Sequence, residues 1–179
     1  MLIITDRLTL REITETDLNK IHELHSLSEI DQFNTLGIPE NINITQNILI
    51  DWLQYKEITP QKQFVLCIEN NTNDFIGLLG LNYRKPTYKS AEIWYKLFPE
   101  FWSQGYATEV VKAILQYCFT ELKLHRIEAG CATQNISSIK VLEKSGFLRE
   151  GLKRKILPIR GEWIDNYFYA ILEEDFFNV

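Results

Sequence analysis

Between Trp102 and Glu109 the chain reads Trp-Ser-Gln-Gly-Tyr-Ala-Thr-Glu, a turn of small residues set directly against a long amphipathic helix. After Ala107 the apolar residues Val111, Ile114, Leu115, Cys118 and Leu122 recur at helical spacing, which predicts a helix beginning near Gly105. Its first amides have no partner inside the helix and point back at the turn. Helix amides and the macrodipole favour negative charge there, and Gly105 and Ala107 carry too little side chain to block phosphate oxygens. Taken alone, such a turn is equally well an ordinary loop-to-helix junction.

The elements around it define an α+β chain. Alternation predicts a first strand over Arg7 to Ile13, with Thr14 as N-cap of a helix carrying Leu18, Ile21 and Leu24. A loop over Gly37 to Asn43 leads to a second helix, Thr45 to Tyr55, with Ile48, Leu49, Trp52 and Leu53 on its apolar side. Strands are predicted at Gln63 to Glu69, Phe75 to Tyr83 and Ala91 to Phe98, joined by turns at Asn70 to Asp74 and Arg84 to Ser90 and therefore antiparallel. After the long helix come a strand at Arg126 to Ala132, a short helix from about Ser137 to Ser145, and closing strands at Phe147 to Lys153 and Asn166 to Leu172. The order is βααβββαβαββ, a mixed, mostly antiparallel central sheet flanked by helices. Residues 14 to 60 are placed to border an acceptor pocket.

A second motif follows the turn in the chain: Asn135-Ile136-Ser137-Ser138, then Glu143-Lys144-Ser145-Gly146-Phe147 and Glu150-Gly151. Together with Thr5 to Arg11 and Trp163-Ile164-Asp165, these stretches resemble the GNAT superfamily of acyl-coenzyme A N-acyltransferases. Within it they are most similar to the branch of ribosomal-protein alanine and serine N-terminal acetyltransferases. The resemblance covers nearly the whole chain, residues 1–179, as one domain. It implies the GNAT fold, in which the middle strands splay apart and a cofactor arm enters the gap.

It further implies acetyl-coenzyme A as donor, direct transfer in a ternary complex, and no metal. The acceptor is an amine, either a protein N-terminus or a small molecule, and a homodimer is compatible with the family. Backbone groups of Tyr95 and Leu97 would polarise the thioester and pair with pantetheine, while Gln104, Gly105, Tyr106, Ala107 and Thr108 would hold the diphosphate. Asn135 would bond the pantetheine arm, and Ser138 would lie near the sulfur as donor to the departing thiolate. Asn135 and Ser138 stand three residues apart at a helix start and so face the same way; on spacing alone they equally form a helix cap.

Two positions depart from the family pattern. Many GNAT enzymes carry an acid tyrosine four residues before the Gly-Phe pair, where this chain has Leu142. The ribosomal-protein branch carries a glutamate base at the position of Leu157. Glu92 is the substitute base on sequence grounds, because its strand parity is opposite to Ile93, Tyr95 and Leu97; the alternative is a structural pairing with a neighbouring arginine or amide. Asp165 and Tyr167 are further candidates. Trp94, Tyr95, Phe98, Trp102 and Trp163 are mostly core by default, with walls of the acceptor pocket as the alternative for some.

A net charge of -5 argues against broad nucleic-acid or anionic-membrane binding. Asp6, Arg7, Arg11 and Glu12 interrupt any early apolar run and no segment reaches transmembrane length, so a cytoplasmic location is expected. Cys67, Cys118 and Cys131 each fall in an apolar pattern and read as buried reduced thiols. His22-Glu23-Leu24-His25 has too short a spacing for a zincin helix and reads as a solvated helix face. Three Asn-x-Ser/Thr triplets, at Asn43, Asn70 and Asn135, are chance matches to the glycosylation pattern.

Overall fold

Alternating apolar strands need partners on both sides, and here eight of them form one sheet in the order β1-β2-β3-β4-β5-β6-β8-β7. The computed structural model describes residues 1–57 and 62–178; positions 58–60 of the expected pocket-bordering stretch lie outside the described residues. The strands are β1 (Leu2–Ile4), β2 (Leu8–Glu12), β3 (Gln63–Asn70), β4 (Phe75–Tyr83), β5 (Ser90–Leu97), β6 (Arg126–Ala132), β7 (Leu148–Ile159) and β8 (Glu162–Leu172). The helices are α1 (Leu18–His25), α2 (Ser28–Asp31), α3 (Ile42–Glu57), α4 (Tyr106–Thr120), α5 (Ile136–Lys144) and α6 (Glu173–Phe177). None of the described helices is long and apolar enough to cross a membrane.

The predicted order holds, with additions that local pattern did not supply. β1, α2 and α6 are short and unpredicted, and the closing hairpin is longer than expected, with β7 running on to Ile159 and β8 starting at Glu162. Thr14 was expected as N-cap of the first helix, and it caps the 3-10 turn Glu15–Asp17 that leads into α1. In that cap the Asp17 carboxylate accepts from the Thr14 amide at 2.8 Å, and Arg11 clamps Asp17 from the other side at 2.7 and 2.9 Å.

The sheet buries both faces. Val110, Val111, Ile114, Leu115 and Cys118 of α4, with Leu142 of α5, pack on one face against Leu10, Leu66, Leu79, Ile93 and Ile127. On the other, Ile21 and Leu24 of α1 and Leu49 and Trp52 of α3 pack against Val65, Cys67 and Leu78. The three cysteines are buried free thiols. His25 is a correction to the solvated-face reading: it is four residues from Ile21, shares that buried stripe with Leu24, and is 2% exposed.

Gly80 marks the closest approach in the sheet. A Cβ there would come within 2.0 Å of the Trp94 ring, which lies across β4 and meets Trp52 at 5.6 Å between centroids. Gly80→Ala is therefore expected to force the indole aside and destabilise the fold by about 1–3 kcal/mol, as overpacked cores do. Urea denaturation checks this, and an unchanged midpoint would show that Trp94 moves at no cost.

Candidate active site

The four strands from β2 to β5 pair antiparallel, whereas β5 is joined to β6 through α4 and pairs with it in parallel. That parallel pairing runs only from Ser90–Arg126 to Ile93–Ala129. Beyond Ile93, β6 continues against β8 to Ala132 and β5 continues against β4 to Leu97. The two middle strands therefore splay, opening a gap beside residues 94–97.

Backbone alternation decides which groups line it. The Phe98 amide bonds Ile76 on β4 at 3.0 Å, so even-numbered residues of β5 face β4 and odd-numbered ones face the gap. Tyr95 and Leu97 thus turn their N–H groups into the opening. The Leu97 carbonyl, also on that side, is taken by the Trp102 indole N–H at 2.6 Å. Trp102 itself is exposed, as is Trp163, contrary to a core role for either.

At the mouth of the gap stands the start of α4. Gly105 caps it with φ +83°, and Ser103 is also left-handed at φ 59°. The first backbone bond of the helix is Glu109 N–H to Gly105 at 3.1 Å, which leaves the amides of Tyr106, Ala107 and Thr108 without helical partners. The Gln104 side chain folds back to the Glu100 carbonyl at 2.6 Å, so the turn presents backbone there.

Arg7 holds this turn, a role with no signal in local spacing. Its guanidinium donates to the Gln104 carbonyl at 3.1 Å and pairs with Glu109 at 2.6–2.7 Å, and it lies 4.4 Å over the Tyr106 ring. The Thr5 hydroxyl donates to the same carboxylate at 2.6 Å. Burial alone pushes Glu109 up, but the hydrogen bonds from Thr5 and Arg7 outweigh it and hold the carboxyl below its ordinary value.

From the other wall comes α5. Asn135 caps it, accepting the Ser138 amide on its side-chain oxygen at 3.1 Å. The Ser138 hydroxyl meets the Tyr95 hydroxyl at 2.8 Å, a side-chain bridge from α5 to β5. Burial pushes the Tyr95 phenol well above its ordinary range, so it is a proton donor at neutral pH. Leu142, at the family's tyrosine position, is buried in the core.

The remaining candidates lie elsewhere. Glu92 is on the still-paired part of β5, opposite Glu128, and Arg84 bonds both carboxylates at 3.1 and 3.2 Å. Asp165 accepts the Lys155 amide at 2.8 Å, and Tyr167 lies under Arg149 at 4.6 Å. Leu157 pairs with Ile164 in the closing hairpin. An open groove of about 640 Å³ on that hairpin is lined by Lys155, Glu162 and Trp163, none of which belongs to the gap. Among the described residues no cluster of three His, Cys, Asp or Glu is placed to hold a metal.

The face of the sheet opposite Ser138 carries a group that sequence pattern did not flag. Lys96 points there with Trp94, and burial pushes its ammonium down to about 8. His25 lies on the same side, stacked edge-on to Trp52 at 5.9 Å; burial first, and the positive Lys96 second, push it down to about 3.

A family model described as "Acetyltransferase (GNAT) domain" matches residues 7–148. The chain is 34% identical over 175 residues to the uncharacterized N-acetyltransferase YnaD of Bacillus subtilis, covering 98% of this chain and 99% of that protein. A GNAT-family acetyltransferase structure from Bacillus anthracis superposes with a TM-score of 0.83 at 32% identity, covering 97% and 99% of the two chains. Spermidine N-acetyltransferase from Vibrio cholerae, solved with CoA and spermine, superposes with a TM-score of 0.85 at 27% identity, covering 97% and 100%.

Proposed function

Since the chain belongs to the GNAT acetyltransferase family and is an N-acetyltransferase, we propose that it transfers acetyl from acetyl-coenzyme A directly to a primary amine held in the same complex. The observation that carries this reading is the strand gap opening beside a helix N-terminus whose cap, Gly105, leaves its first amides free, with the Tyr95–Ser138 bridge at its wall. The unpaired amides of Tyr106, Ala107 and Thr108 suit a diphosphate, and the absence of a side chain at Gly105 lets its oxygens approach. The Tyr95 and Leu97 amides suit the thioester carbonyl and the amide groups of pantetheine, supplying donors where negative charge develops.

With leucine at position 142, protonation of the departing thiolate falls to Ser138, backed by the Tyr95 phenol that can refill its proton. Glu92 faces the acceptor side with Trp94 and Lys96. It lies about 10 Å along the strand from Tyr95 at the usual rise per residue, so it takes the amine's proton through a relay of waters. Calorimetry with acetyl-coenzyme A, followed by thiol release against an amine panel, tests the whole reading. No heat and no thermal stabilisation at millimolar donor would overturn it, because a ligand of the native state must raise its stability.

Asn135 and Ser138 are expected to separate kinetically. Asn135→Ala removes a helix cap worth about 1 kcal/mol and a contact to the pantetheine arm, so it lowers stability and raises the donor KM. Ser138→Ala is expected to lower kcat about 10-fold with the donor KM held, since it acts only as charge develops on sulfur. Equal KM effects from both changes would reduce the pair to capping and binding.

A further inference from the structure

Three buried side-chain nitrogens have no hydrogen-bond partner among the described residues: His25 Nε2, Asn34 Nδ2 and Lys96 Nζ. Native structures rarely leave such groups unpaired, and a buried ammonium is the costliest of them. Two of these three are linked. Lys96 lies 5.7 Å from the Trp94 ring, Trp94 is 5.6 Å from Trp52, and Trp52 is 5.9 Å from His25, so a chain of ring contacts joins the ammonium to the imidazole. Asn34 follows α2, its backbone N–H donating to the Asp31 carbonyl at 3.1 Å, and Asp31 acts electrostatically on Lys96.

The one carboxylate in that neighbourhood that acts on Lys96 is committed elsewhere. Arg160, at the tip of the β7–β8 hairpin, bonds Asp31 at 2.8 Å and the Ser28 carbonyl at 2.7 Å. The hairpin is thus tied to α2, and Lys96 has no hydrogen-bonded carboxylate among the described residues. Burial lowers the Lys96 ammonium only to about 8, leaving it mostly charged at neutral pH.

Position along the strand supplies the connection to chemistry. Lys96 stands between Tyr95 and Leu97, the two residues whose amides face the gap, but its side chain projects from the opposite face, toward α1, α2 and α3. We propose that Lys96, with His25, receives a carboxylate on the amine acceptor, so that the substrate class is an amino carboxylate such as an amino acid. This rests on the acetyltransferase reading above. A carboxylate offers only acceptors, matching a site of unpaired N–H donors, with neutral His25 donating from Nε2. A polyamine would instead bring a second ammonium against Lys96.

The test compares matched acceptors with acetyl-coenzyme A as donor: α-, β- and γ-amino acids, each against its carboxamide, with spermidine as the polycation. Wild-type enzyme is expected to favour the acid at least 10-fold in kcat/KM in one or more pairs. Lys96→Met should collapse that ratio to about one through the KM for the acid, and Lys96→Gln should do the same with less disturbance of packing. No acid preference in any wild-type pair, or preference for spermidine, overturns the proposal whether or not the variants fold. Equal losses on acid and amide with a displaced pH profile also overturn it, since they would make Lys96 a base. Donor binding without turnover of any amino carboxylate overturns the proposal alone, whereas absence of donor binding overturns the acetyltransferase reading beneath it.

Discussion

Gly105→Glu is expected to abolish acetyl-coenzyme A binding, with at least a 100-fold loss of affinity by calorimetry. Three effects act together. The residue sits at φ +83°, so any side chain there is strained, by about 1–3 kcal/mol for a non-glycine in a sparsely populated region. The new side chain projects toward Arg7, whose Nη2 would be 3.5 Å from its Cβ, and a glutamate there competes for the guanidinium that bonds the Gln104 carbonyl. Finally, it sets a negative charge where three unpaired helix amides favour an anion, reversing the field that attracts diphosphate. The core residues of α4 are untouched, so far-UV circular dichroism should match the parent while thermal stabilisation by the donor disappears. Unchanged affinity would remove this turn from the binding site.

Glu92→Gln is expected to lower kcat/KM by about 100-fold near pH 7, the ordinary scale of a general base. An amine arriving as ammonium must lose a proton before it can attack; the amide keeps the shape of the side chain and cannot accept that proton. Activity should therefore recover in part as pH rises toward the amine pKa. Arg84→Ala provides the contrast, because Arg84 holds Glu92 at 3.1 Å from an exposed position where an ion pair contributes little stability. If Glu92 served only that pair, the two variants would behave alike, with nearly parental rates and pH profiles. That outcome would move proton removal to bulk solvent or to another group on the acceptor side.

Several parts of this molecule were written in short-range pattern. The apolar spacing from Val111 to Cys118 is enough to place α4, since an amphipathic helix declares itself within a few turns. Alternation and turn residues likewise placed β3, β4 and β5, and small residues before a helix marked the turn at Gly105 where α4 starts. Asn135 was legible as a cap, and the structure shows that cap directly. The strands at the ends of the chain were less legible. β1 has only three residues, and the long reach of β7 and β8 comes from their pairing with each other, which no single-strand pattern reports.

The site's decisive contacts arise between residues far apart in the chain. Arg7 reaches the turn 97 residues away, and Tyr95 meets Ser138 across 43 residues. Neither spacing carries any periodicity. His25 reads as polar on its own helix and becomes buried only because α3 and the sheet cover that stripe. Lys96 looks like an ordinary charged strand residue until the fold buries its ammonium beside Trp94. The sequence by itself determined the order of elements and the presence of a small-residue turn before α4, because helix and strand periods and turn chemistry act over a few residues. Only the tertiary structure decided where β5 leaves β6, which amides and hydroxyls meet in that gap, and which charge lies buried beside it, because burial and electrostatic field are properties of surroundings assembled from distant segments.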